Sequence, residues 1–347
     1  MKKKPKRTEL SELGEFKLID VLTESIEHCN GSTIVGVGDD AAVIDAGDKR
    51  VVVSTDLLLE GIHFDLTYFP LKHLGYKAIV VNLSDIYAMN AVPQQVTVSL
   101  GLSKRFCLED VEELYKGIYL ACQRYGVDVV GGDTSTSVTG MTISITAIGL
   151  AHKDELCYRS GAKENDLICV TGNLGAAYMG LQLLEREKKV FLDNPDMKPK
   201  FKDNAYLLER FLKPEIPLAE LKRMVALGIK PNAMIDISDG LSSEMLHICK
   251  HSNLGCRLYL DKIPIDDETL QMGEEMNIDP YVAALNGGED YELLFTVPLG
   301  IHEQVSAIEG ISVIGHMSKD SAGAMLITPE GSEIALTAQG WNAYRKE

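Results

Sequence analysis

Gly36-Val37-Gly38-Asp39-Asp40, followed at once by the apolar run Ala41-Ala42-Val43-Ile44, decides how this chain is read. Two carboxylates stand side by side after a Gly-x-Gly turn, at the mouth of a predicted strand. Adjacent anions repel each other unless a cation or a hydrogen-bond donor faces them. Glycine and aspartate are also the commonest residues of solvated turns, so the stretch alone carries two readings. Comparable acidic turns recur at Ser54-Thr55-Asp56, Ser84-Asp85, Gly131-Gly132-Asp133, Asp236-Ile237-Ser238-Asp239-Gly240 and Gly287-Gly288-Glu289-Asp290. Most of them end an apolar run, where an α/β fold places its ligand sites.

Composition narrows the partners. A chain of 347 residues predicts two domains, and 45% apolar with 24% charged residues is ordinary for a soluble globular protein. The formal charge of −17 argues against a nucleic-acid partner, whose phosphates need a basic patch. It leaves room for a phosphorylated substrate if metal cations supply positive charge locally. No apolar run approaches a membrane span, so no membrane partner is expected. The basic start at 1–7 leads into polar residues at 8–15 and reads as a floppy tail rather than a signal peptide. Seven scattered cysteines without a CxxC pair suit reduced thiols in a cytoplasmic protein.

Periodicity predicts helices over 16–29, 74–89 and 109–125, and strands over 33–37, 41–44, 50–54, 95–102, 127–130 and 141–150. Asn82 and Asp85 fall three apart on one polar face of the second helix, and Gly132-Asp133-Thr134-Ser135 reads as a connection between strands. These elements form an N-terminal α/β domain over 1–151. A C-terminal α/β domain over 152–347 starts with a connection at 152–166. Its strands are predicted at 167–171, 233–237, 258–260, 292–297, 311–314 and 324–327, and its helices at 174–188, 205–212, 218–227 and 241–251. The polar segment 190–203 reads as a surface excursion.

The recurring donors are hard oxygens: Asp40, Asp56, Asp85, Asp133, Asp236 and Asp239, accompanied by Ser54, Thr55, Ser84 and Ser238. Such ligands suit Mg²⁺ or Mn²⁺ rather than zinc. Mg²⁺ shares its shell between one or two carboxylates and substrate phosphates, so a set this large implies several ions and a polyphosphate. The usual nucleotide loops are absent: no GxxxxGK[ST], HRD or DFG occurs. Gly172-Asn173-Leu174-Gly175 either wraps a phosphate with its backbone N–H groups or is a plain strand-to-helix turn. Arg159 either reaches a triphosphate or is a surface cation.

The phrases GVGDDAAV, STDLLLEGIHF, YKAIVVNLSDIYAM, VGGDTS, YRSGAK, VTGNLG, IDISDGLSSE and NGGEDYELLF follow one another over nearly the whole chain, with GEFKLI at 14–19 in front. In this order they resemble the thiamine-monophosphate kinase family, within the superfamily of aminoimidazole ribonucleotide synthetase, selenophosphate synthetase and the hydrogenase maturation synthetase. The resemblance implies the two-domain aminoimidazole ribonucleotide synthetase-like α/β (α+β) fold. In that fold an N-terminal mixed sheet pairs across a homodimer. It implies an ATP-dependent phosphotransferase that makes thiamine diphosphate and ADP from thiamine monophosphate. It implies that Asp40, Asp56, Asp85, Asp133 and Asp236 hold Mg²⁺ with Ser54 and Thr55, and that Asp239 holds a further ion. Gly132, Arg159, Ser238 and Tyr115 are then implied at ATP, and His63 and Glu289 at the thiamine phosphate. Trp341, or in its place Tyr344, is implied to stack on that substrate. From the residues alone, His63 between Ile62 and Phe64 could equally be a packed core histidine, and Trp341 a core aromatic.

The acceptor of this reaction is itself a phosphate, already anionic at neutral pH. No general base is therefore expected; the obstacle is repulsion between two anions, which metal ions relieve. Two alternatives stand beside this reading. One is a sister synthetase, although residues 2–18 hold no cysteine and a single glycine, unlike the selenophosphate-forming type. The other is a non-catalytic sensor of magnesium-bound nucleotide.

Overall fold

Alternation of side chains along the strand Lys49–Leu59 (β3) sends Ser54 and Asp56 to one face of its sheet and Thr55 to the other, and the site is built on that split. The computed structural model describes residues 33–35, 38–194, 201 and 204–339. The helix expected at 16–29, the glycine-valine half of the opening motif at 36–37, and both Trp341 and Tyr344 lie outside these residues.

The first sheet joins β1 (Thr33–Val35), β2 (Ala42–Ala46), β3, β4 (Val92–Leu102), β5 (Asp128–Thr136) and β6 (Thr142–His152) in the order β1-β2-β3-β6-β4-β5. All pairs are antiparallel except β4 with β5. Two helices, α1 (Leu71–Ala88) and α2 (Leu108–Tyr125), accompany this sheet. They approach so closely that a Cβ on Gly75 would stand 2.0 Å from the Leu114 carbonyl oxygen, and one on Gly117 would stand 1.8 Å from that of Lys72.

Two expectations change here. The sequence ends a strand at Val130 and makes Gly132-Asp133 a connection; instead β5 continues to Thr136 as the outermost strand. Glycines signal a turn locally, but pairing with β4 keeps the backbone extended, with a register shift at Val96/Thr97. The polar face of α1 is also not a solvent face. Asn82 is fully buried, accepts from the Asp56 N–H at 3.0 Å and donates to the Ala78 carbonyl at 2.9 Å. The helix is buried on nearly every side because the second half of the chain packs over it.

That second half holds β7 (Leu167–Thr171), α3 (Ala176–Asp193), α4 (Ala205–Leu212), α5 (Leu218–Ala226), β8 (Ala233–Asp236), α6 (Leu241–Ser252) and β9 (Leu254–Tyr259). It continues with α7 (Asp267–Met276), α8 (Pro280–Asn286), β10 (Leu293–Val297), α9 (His302–Ser306), β11 (Ile311–Lys319), β12 (Ala324–Ile327) and β13 (Glu333–Ala335). Its seven strands run β13-β12-β9-β11-β7-β10-β8, antiparallel except β9 with β12. Strands β7, β8 and β10 are buried throughout, as their apolar runs demand. The protein is thus α/β with two mixed sheets. Strand β8, at the edge of the second sheet, ends at Asp236 beside α1. Among the described residues no helix is long and apolar enough to cross a membrane. None of the six described cysteines is in a disulfide.

Candidate active site

Three carboxylates from three distant stretches meet where α1 crosses the end of β8. Asp40, ahead of β2, Asp85, near the end of α1, and Asp236, the last residue of β8, each offer an oxygen, and these oxygens lie within 4.8 Å of one another. Neighbouring hydroxyls are committed to them. Ser54 Oγ donates to Asp85 Oδ2, and Ser84 Oγ donates to Asp236 Oδ2 at 2.6 Å. Arg159 Nη2 donates to Asp40 Oδ1 at 2.8 Å, while Asp40 Oδ2 is buried with no hydrogen-bond donor. Asp39 accepts the Arg159 backbone N–H at 3.2 Å.

The electrostatics are those of a site built for cations. Burial, then the negative charge of Asp40, pushes Asp236 up to about 7. Burial pushes Asp56 up to about 6. Burial and the charges of Asp236, Asp56 and Asp40 raise Asp85 well above the carboxylate range. Asp39 is likewise raised to about 7 by burial and by Asp40. Crowded, desolvated carboxylates with one buried orphan oxygen are costly alone, and a divalent cation reverses that cost. The donor set is all oxygen, so it fits Mg²⁺.

From this cluster opens a cleft of about 790 Å³, whose walls include Asp56, His63, Asp85, Asp236, Asp239 and Glu289. Ser238, Gly287 and Gly288 also line it. Glu289 is held at φ 60° while its N–H donates to the Ser238 carbonyl at 2.6 Å, so two acidic turns form one wall.

The comparisons with known proteins agree on one family. Residues 38–151 match the family described as AIR synthase related protein, N-terminal domain. A thiamine-monophosphate kinase of Buchnera aphidicola subsp. Schizaphis graminum is 38% identical over 340 residues, covering 96% of this chain and 99% of that one. That of Escherichia coli K12 is 33% identical over 345 residues, covering 95% and 98%. The solved structure of AaThiL complexed with AMPPCP and TMP is 30% identical, covers 98% of this chain and 100% of that one, and superposes with a TM-score of 0.81.

The chain belongs to the thiamine-monophosphate kinase family.

Within this thiamine-monophosphate kinase family member, the residues singled out from sequence divide into two groups. Asp40, Ser54, Asp56, Asp85, Arg159, Asp236, Ser238, Asp239, His63 and Glu289 gather at the cluster and cleft. His63 is half-buried on the cleft wall, and its Nδ1 accepts the Leu59 N–H at 3.0 Å. Thr55 stands apart, because it alternates to the opposite face of β3. There it donates to the Ile145 carbonyl at 2.9 Å and lies 3.0 Å from Thr146 Oγ1. Gly132 and Asp133 are exposed on the outermost strand β5, outside the three-carboxylate group. Tyr115 is half-buried on α2 with its ring 5.5 Å from that of Tyr119.

The Gly172–Gly175 turn takes the plain reading. Three of its four backbone N–H groups are already used: Gly172 N–H on the Gly310 carbonyl at 2.8 Å, Leu174 N–H on that of Pro264 at 2.9 Å, and Gly175 N–H on Asp290 Oδ2 at 2.8 Å. The buried Asp290 caps the start of α3; burial pushes its carboxyl up to about 7, opposed by Arg210, which lies 3.9 Å away while reaching Glu292 at 2.9 Å. Sequence reasoning marked Asp290 only as part of an acidic turn, and missed Arg210 and Glu244, whose Oε1 accepts the Asp239 N–H at 3.0 Å. Their one signal is that each charged residue borders an apolar run in which a solvated side chain has no place.

Proposed function

We propose that this protein transfers the γ-phosphoryl group of ATP to thiamine monophosphate, giving thiamine diphosphate and ADP. The observation that carries the reading is the convergence of Asp40, Asp85 and Asp236 within 4.8 Å at the head of the cleft. Membership of the family, and the likeness to AaThiL complexed with AMPPCP and TMP, supply the two substrates.

Asp40, Asp85 and Asp236 hold Mg²⁺, with Asp56, Asp239 and the Ser54 hydroxyl as further oxygen donors beside them. Bound there, Mg²⁺ neutralises phosphoryl charge and favours in-line transfer. Arg159 pairs with Asp40 at 2.8 Å and faces the same anions as a second positive group. Ser238 and Asp239 form the wall against which the nucleotide lies. His63 and Glu289 stand on the cleft wall for the thiamine phosphate, with an aromatic of the C-terminal tail as the stacking partner. No side chain needs to remove a proton, because the acceptor oxygen is already anionic. Thr55, Gly132, Asp133 and Tyr115, implied at Mg²⁺ or ATP, stand outside the three-carboxylate group of one subunit.

A domain division at 151/152 is supported by the change of sheet nearby: β6 of the first ends at His152 and β7 of the second starts at Leu167. The protein works as a homodimer, because β5 is exposed along nearly its whole length at a sheet edge, an arrangement that a second copy would cover. The cytoplasm is the compartment that its scattered cysteines suit. The test is ADP release with thiamine monophosphate, with unphosphorylated thiamine and without acceptor. Release that requires thiamine monophosphate supports the reading; release indifferent to the acceptor, or none, rejects it.

A further inference from the structure

Lys77 lies two turns before Asp85 on α1, inside an otherwise apolar run, and its side chain is 1% exposed. A lysine is almost never buried without a partner. Its Nζ donates to Glu289 Oε2 at 2.7 Å and to the Phe211 carbonyl at 2.9 Å, and lies 4.1 Å from the centroid of the Phe211 ring. The ammonium is thus enclosed by one carboxylate, one carbonyl and an aromatic face. Glu289 is different: its side chain is 31% exposed and lines the cleft. Its backbone sits at φ 60°, a conformation that gives a non-glycine residue little freedom to drift. Gly288 before it, at φ 70°, packs so closely that a Cβ would meet the Ser238 carbonyl oxygen at 2.4 Å. The carboxylate is therefore fixed from behind by Lys77 and from below by its own turn, with its exposed part toward the cleft.

We propose that Lys77 is a positioning residue for the thiamine-phosphate end of the site. Its buried Nζ holds the Glu289 carboxylate aimed into the cleft, and links that aim to the segment where α4 ends. The inference rests on the reading of Glu289 as a substrate contact. The thiazolium ring of thiamine carries a fixed positive charge, so an ionised, immobile carboxylate recognises it, and a swinging one does so less well. A lysine serving the fold alone would alter stability and leave the two Michaelis constants in their original ratio.

The test is steady-state kinetics on full-length Lys77→Met, Glu289→Gln and the double variant, varying ATP and thiamine monophosphate separately. In Lys77→Met, KM for thiamine monophosphate is expected to rise about tenfold while KM for ATP moves less than about threefold. The double variant is expected to be no worse than Glu289→Gln alone, because both changes remove one coupled unit. An unchanged KM for thiamine monophosphate in Lys77→Met, or effects that multiply in the double variant, overturns the proposal. If Lys77→Met does not fold, Glu289→Gln against the double variant carries the same comparison, and a further rise in KM overturns it. Glu289→Gln with an unchanged KM would instead remove the substrate-contact reading beneath it, and the proposal with it.

Discussion

Arg159 Nη2 lies 2.8 Å from Asp40 Oδ1, joining the segment after the first sheet to the acidic motif before β2. The Asp40 side chain is completely buried and that of Arg159 is 21% exposed, so this pair is screened little by water. The backbone N–H of Arg159 also binds Asp39, which makes one residue the partner of both carboxylates. Removing the guanidinium leaves Asp40 buried without its counter-charge. Arg159→Ala is expected to lower stability by about 3 kcal/mol, measured by urea unfolding, and turnover by about tenfold or more. Arg159→Lys should retain part of both, since it keeps charge but loses the planar fork.

Asp236→Asn separates charge from shape. The amide oxygen can still accept from Ser84, so the fold should persist. Burial and Asp40 raise Asp236 to about 7, which means its charge destabilises the metal-free protein. The variant is expected to melt at a higher temperature than the parent without divalent cations. Its turnover should fall by more than about 100-fold, since even indirect partners of a metal are worth up to that factor.

The same shifts set a pH dependence. Asp56, at about 6, and Asp236, at about 7, lie above the unfolded value of 3.8, so the folded state binds more protons between those limits. Stability of the metal-free protein must then fall as pH rises from about 4 to about 7, each unit of upward shift being worth about 1.4 kcal/mol. Thermal unfolding in a chelator should show a higher melting temperature at pH 5.5 than at pH 8. Mg²⁺ should raise the melting temperature more at pH 8 than at pH 5.5, because it competes with those protons.

Asp290 offers a purely structural contrast. It accepts the Gly175 N–H at the start of α3 at 2.8 Å and faces Arg210. Asp290→Ala should cost about 2 kcal/mol, the loss of a buried cap, in urea unfolding. Its KM for ATP should change little, since Asp290 is fully buried and does not line the cleft.

Much of the fold was legible in the sequence because it rests on local pattern. The alternation of Val96, Val98 and Leu100 gives β4, and the apolar run through Phe295 gives the buried strand β10. Asp40 ahead of β2, Asp85 on α1 and Asp236 at the end of β8 were legible as oxygen donors, each beside an apolar run. What failed to show depends on contacts far apart in the chain. The Gly131-Gly132-Asp133 stretch looks like a turn until β4 pairs with it. Ser54 and Thr55 look equivalent until the strand sends them to opposite faces. Lys77 has no local signal, because it is the second half of the chain that buries it on α1.

Turnover of Asp85→Asn titrated against Mg²⁺, beside the parent, tests most directly whether the converging carboxylates work by gripping cations. Asp85 stands between Ser54 and Asp236, at the centre of the crowded group. The expected result is a rise of about tenfold or more in the Mg²⁺ concentration for half-maximal rate, or loss of turnover at every concentration, in a variant that stays folded. A folded variant with the parent's rate and the parent's Mg²⁺ dependence would contradict it.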